Sequence, residues 1–129
     1  MVPDDRMYTE DHEWVRVEEE DGEQIGMVGV TDFAAGELGD VVFVELPEIG
    51  SEYSQKDPVG TIESVKAVAD LFLPVSGEVV AINDAVVESP ELVNSDPLDE
   101  GWLFKIRLAE PGELETLLDA AAYGKLLGG

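Results

Sequence analysis

Over its first hundred residues the chain reads as short extended segments, apolar positions alternating with polar ones and glycines breaking the runs. Residues 13–18 alternate around Val15 and Val17, with Trp14 just before them, and Gly22 turns the chain within an acidic stretch. Residues 24–30 form a second strand. Thr31 or Asp32 can then N-cap a short helix through Leu38, ended by Gly39 in the left-handed region. Residues 41–46 read as a buried strand closed by Pro47. Strands follow over 59–64, 70–74 and 78–83, and residues 101–108 give a last one with Lys105 and Arg107 alternating outward. After Pro111, a favourable helix start, residues 113–118 and 120–127 read as terminal helices. Trp14, Phe43, Trp102 and Phe104 are assigned to the core by their strand spacing. Gly60 and Gly77 are read as backbone requirements of tight bends. Gly39-Asp40-Val41-Val42 recurs as Gly77-Glu78-Val79-Val80. That echo fits two similar halves about a pseudo-two-fold axis, and fits equally a common way of starting a strand.

Charge changes the picture next. Thirty acidic residues face seven basic ones, a formal net charge of −23 over 129 residues. Phosphate binding needs a basic stripe, so nucleic acid is excluded as a partner. The acid runs along the whole chain and lysine is scarce throughout. This favours adaptation to a salt-rich cytoplasm over steering to one basic partner, and self-repulsion should destabilise the chain in dilute buffer. No apolar run approaches the ~20 residues of a membrane span, and residues 1–6 carry neither a signal-peptide nor a transit-peptide pattern. Without cysteine there is no disulfide or thiolate chemistry, and one histidine offers no zinc-ligand spacing. These features imply a single acidic domain over 1–129, cytoplasmic, with its core at about 8–108 and helices at about 111–127.

Against this background one basic residue stands out. Lys66 lies in Glu63-Ser64-Val65-Lys66-Ala67, with Asp70 beyond it and no other basic residue within nine positions. A nucleophilic or Schiff-base lysine needs desolvation or a neighbouring cation, and the sequence supplies neither. Attachment suits it better: acylation of the amine would set a long flexible arm on a turn between two strands. A solubilising surface charge is the plain alternative. Residues 64–67 hold no Gly, Asn, Asp or Pro, so turn chemistry alone does not predict a hairpin there.

Residues 60–67, Gly-Thr-Ile-Glu-Ser-Val-Lys-Ala, followed by Pro74-Val75-Ser76-Gly77-Glu78-Val79, resemble the lipoylation segment of the glycine cleavage system H protein family. His12-Glu13-Trp14-Val15, Gly29 to Ala34, Leu38 to Pro47, Pro90 to Asn94 and Gly101 to Ile106 are similar to further blocks of that family, in order, and residues 114–123 to its C-terminal helices.

The resemblance implies a mainly β fold, a flattened barrel-sandwich of two antiparallel sheets like that of lipoyl domains, with short C-terminal helices. It implies a non-catalytic carrier whose lipoate, joined to Lys66, shuttles the aminomethyl group from glycine decarboxylase (P protein) to aminomethyltransferase (T protein). Its dithiol then goes to dihydrolipoamide dehydrogenase (L protein). Carried over by residue, Glu13 and Asp70 would hold the aminomethyl arm and Glu63 would be read by the lipoate ligase, or lipoyl transferase or synthase, that installs the cofactor. Asp11 receives little weight, and His12 is read as a packing or hydrogen-bonding residue. A monomer free of membrane is expected. A relay donating lipoate to other lipoyl enzymes is the alternative. Biotinyl domains flank their lysine with methionines, where this chain has Val65 and Ala67. Dehydrogenase lipoyl domains usually carry Asp before the lysine and Ala/Pro linkers, where it has Val65 and no linker.

Overall fold

The computed structural model describes residues 3–128. Among these residues nine strands form two antiparallel sheets: β1 (Met7–Tyr8), β2 (Glu13–Glu20), β3 (Glu23–Val30), β4 (Val41–Glu45), β5 (Glu52–Tyr53), β6 (Pro58–Ser64), β7 (Val68–Phe72), β8 (Gly77–Ile82) and β9 (Phe104–Leu108). The larger sheet runs β1-β2-β3-β9-β8-β5 and the smaller β4-β6-β7. The architecture is thus the expected mainly β pair of sheets, as an open sandwich and not a closed barrel.

Between the sheets lie Val15, Val28, Val44, Ile62, Leu71, Val79 and Ile106. The interruption of alternation at Trp14 has a structural cause. Val15 faces this main core, whereas Trp14 turns to a second cluster with Tyr8 and Tyr123, under the C-terminal helix α4 (Ala120–Leu126). The start of β2 is therefore covered on both faces, and Glu13, Trp14 and Val15 are all buried.

Helix α1 (Asp32–Leu38) begins and ends as its sequence predicts. Thr31 accepts from the Ala34 N–H as N-cap, and Gly39 closes the helix at φ 76°. Two helices go unpredicted, α2 (Asp84–Glu88), capped by Asn83, and α3 (Leu92–Ser95). Each is under two turns, too short for a 3.6-residue period to emerge. Residues 113–118 were expected to be α-helical, but Pro111–Thr116 is a 3₁₀ helix. Among the described residues no helix is long and apolar enough to cross a membrane.

Three core assignments change. The register of β4 on β6 shifts between Val41 and Phe43. Such a bulge breaks strict alternation, and Val42 and Phe43 both face out, 51% and 49% exposed. The 41–46 strand is accordingly half-exposed and Phe43 is not core. Trp102 is only half-buried, against the second cluster, whereas Phe104 is buried. β8 shifts register between Val79 and Ala81, so the two Gly-acid-Val-Val motifs share a bulge at the second valine. Gly60 and Gly77 lie within strands, not at bends. A Cβ at either would overlap a backbone carbonyl, that of Glu45 or Arg107, so close strand approach is what requires them.

Candidate functional site

β6 and β7 pair through Glu63 and Val68, leaving Ser64-Val65-Lys66-Ala67 as the hairpin tip. Ser64 supplies the turn chemistry that its neighbours lack. Its Oγ accepts from the N–H of Ala67 at 3.0 Å and of Lys66 at 3.3 Å, and donates to the Ala67 carbonyl at 3.2 Å. The Ser64 N–H closes the turn on the same carbonyl at 2.8 Å. A buried serine here does what Asn or Asp does in commoner turns.

The tip is also held from outside. The Val65 N–H donates to Asp40 O at 3.0 Å. Asn94 on α3 grips that same loop, accepting from the Val41 N–H at 2.9 Å and donating to Gly39 O at 2.7 Å. The Lys66 stem crosses Gly39, where an added Cβ would stand 3.3 Å from Lys66 Cε. Lys66 is therefore an exposed side chain on a well-fixed backbone. Sequence reading gave neither Ser64 nor Asn94 a role. A small hydroxyl at a strand end and an amide directly after Leu92-Val93 were the available signals. Ser64→Ala should lower stability by about 1–2 kcal/mol, seen as a lower urea midpoint, with the rest of the sandwich unchanged by amide chemical shifts.

A cleft of about 220 Å³ lies between α1 and β7. Val30, Phe33, Leu38, Ile62 and Leu71 make its apolar lining, and Asp11, Glu13, Glu37 and Asp70 are its carboxylates. Asp11, given little weight by the sequence reading, is thus beside Glu13 and Asp70. Glu13 is only 2% exposed. Its Oε2 accepts from the Phe72 N–H at 2.7 Å, while its Oε1 has no protein partner. Burial pushes its carboxyl up to about 8, opposed by the Phe72 hydrogen bond and assisted by Asp11. His12 adopts φ 64° at the end of the turn that delivers Glu13. Its Nδ1 lies 2.8 Å from the Tyr123 hydroxyl, and its ring packs on Phe33 at 4.7 Å. These are packing and hydrogen-bonding contacts. Glu63 sits apart from the cleft, exposed on the outer face of the smaller sheet. Among the described residues no group of three or more His, Cys, Asp or Glu could hold a metal ion.

An open β-sandwich that displays a lysine on a braced two-strand hairpin, beside a carboxylate-bearing apolar cleft, is a scaffold built to present that lysine. The glycine cleavage H-protein family model matches residues 6–128, and the chain belongs to this family. The glycine cleavage system H protein of Symbiobacterium thermophilum is 55% identical over 122 residues, covering 95% of this chain and 92% of that protein. That of Carboxydothermus hydrogenoformans is 50% identical over 127 residues, covering 98% and 95%. A crystal structure of a glycine cleavage system H protein from Mycobacterium marinum matches with a TM-score of 0.85 at 38% identity, covering 99% of this chain and 100% of that one. The family is the non-catalytic lipoyl carrier subunit of the glycine cleavage system.

Proposed function

We propose that Lys66 is the lipoyl attachment site and that the chain, as a cytoplasmic monomer folded as one domain, serves the P, T and L proteins of glycine cleavage. The observation that carries this reading is the placement of one exposed amine on a hairpin braced by Ser64, Asp40 and Asn94. A fixed tip keeps the ordering cost of docking low, while the tether raises the effective concentration at each active site. When attached, the lipoyl group supplies a disulfide that accepts the aminomethyl unit and a dithiol that returns electrons.

This chain's own residues do the rest. The lining of the cleft suits an apolar acyl arm. The unpartnered Glu13 Oε1 suits a cationic amine at its end, since a charge-assisted hydrogen bond would satisfy the buried oxygen. Asp70, on the strand that leaves the lysine turn, adds a second carboxylate, and Glu63 is a recognition charge for the ligase or transferase. Donation of lipoate to other lipoyl enzymes uses the same amine and stays the second reading.

Intact mass of the protein purified from its own host, with peptide mapping around Lys66, tests the proposal. One lipoyl group on that lysine is expected. An unmodified Lys66 in cells with active lipoylation would remove the basis of the carrier reading for this chain.

A further inference from the structure

The cross-strand register places two rows on the outer face of the smaller sheet, Phe43–Glu63–Val68 and Glu45–Thr61–Asp70. Phe43 is 49% and Val68 66% exposed, and Val65 at the hairpin tip is 70% exposed. Large apolar side chains exposed together on one face, here interleaved with carboxylates, mark an interaction surface. The bulge at Val42 brings Phe43 outward where regular alternation had assigned it to the core.

We infer that the Phe43–Glu63–Val68 row, with Glu45 and Asp70 in the row beside it, is the docking face for the enzyme that acylates Lys66, a partner whose contact surface is apolar with basic groups set among it. The inference rests on the reading of Lys66 as the attachment site. Reach selects this partner among those the chain could meet. Before modification the amine extends no further than its own four-carbon stem. The acylating active site must therefore close around the hairpin and touch the neighbouring rows. Once the acyl arm is in place, later partners receive its end and can stand further off.

The transfer itself is simple. The neutral Lys66 Nζ attacks the carbonyl carbon of a lipoyl adenylate, the amide C–N bond forms, the carbonyl–phosphate oxygen bond breaks, AMP leaves with that electron pair, and the nitrogen gives up a proton to solvent. No oxidation occurs. The three carboxylates steer those basic groups towards the hairpin, and Phe43 and Val68 supply the contact that salt does not screen.

The unlipoylated protein should be assayed with a purified lipoate–protein ligase, lipoate and ATP, reading acylation of Lys66 by mass. Against wild type, Phe43→Ser/Val68→Ser should lower kcat/KM about tenfold, mainly through KM, as loss of an interface anchor does. Leu126→Ser, an equally exposed apolar change on α4, should leave the rate within about twofold. The double variant should keep the wild-type circular dichroism and lose only a little in melting temperature, from reduced strand propensity at two largely exposed positions, and its deficit should persist in multimolar potassium chloride. Acylation of the double variant at the wild-type rate would overturn the docking face. So would a fully lipoylated double variant that is acylated normally but fails to support glycine decarboxylation, since the row would then serve another partner. Failure of the wild-type chain itself to be acylated at Lys66 would instead remove the attachment reading beneath it.

Discussion

Lys66→Arg should leave the chain unmodified and reduce its support of glycine cleavage to the level of a reaction without carrier. A guanidinium stays protonated and forms no stable amide under conditions where an amine does. The fold should survive, because the Lys66 side chain is exposed and the turn is held by the Ser64 hydroxyl and by backbone bonds from residues 64, 65 and 67. Circular dichroism would establish folding, intact mass would establish the missing lipoyl group, and exchange of labelled bicarbonate into glycine with P protein would read function. Normal exchange by a folded variant would refute the proposed role of Lys66. Any unmodified binding function would be untouched by the change, which separates a carrier from an acidic interaction domain.

Glu13→Gln should make the protein more stable above neutrality and remove part of its pH dependence. In the folded chain the Glu13 carboxyl titrates at about 8, against its ordinary 4.5, because burial disfavours the charged form. The unfolded chain gives up this proton first. The stabilising contribution of the protonated group is complete below about pH 4.5 and declines as pH rises towards 8, by on the order of 4 kcal/mol across the window. Glutamine keeps a carbonyl to accept from the Phe72 N–H and carries no charge to bury. Urea midpoints measured from pH 5 to 8.5 at constant salt should therefore converge at the acid end and separate at the alkaline end, wild type below the variant. Parallel curves would show that the carboxyl does not titrate in this window. A cationic amine brought against Oε1 would favour the carboxylate, so aminomethyl loading should flatten the wild-type slope as the glutamine does.

Much of this protein was legible without its structure. Alternation located the main strands because one face of each is packed against the other sheet and the other is wet. Thr31 and Gly39 bounded α1 because both act through local backbone hydrogen bonds and φ, which need no tertiary partner. The isolation of Lys66 among carboxylates, and the ordered blocks around it, were likewise properties of the linear chain.

Other features were decided only by folding. One extra residue in β4 reversed the facing of Phe43, and composition does not reveal where a bulge falls. Glu13 occupies a polar position in an alternating strand, yet is buried because the β1–β2 turn, β7 and α1 close over it. The brace of the hairpin came from Asn94, far away in sequence, and from a serine whose value depends on the carbonyl facing it. Periodicity therefore located most of the strands, and composition singled out the lysine between two of them. The surroundings of that lysine depended on contacts between distant segments, whose distances and desolvation exist only in the assembled fold.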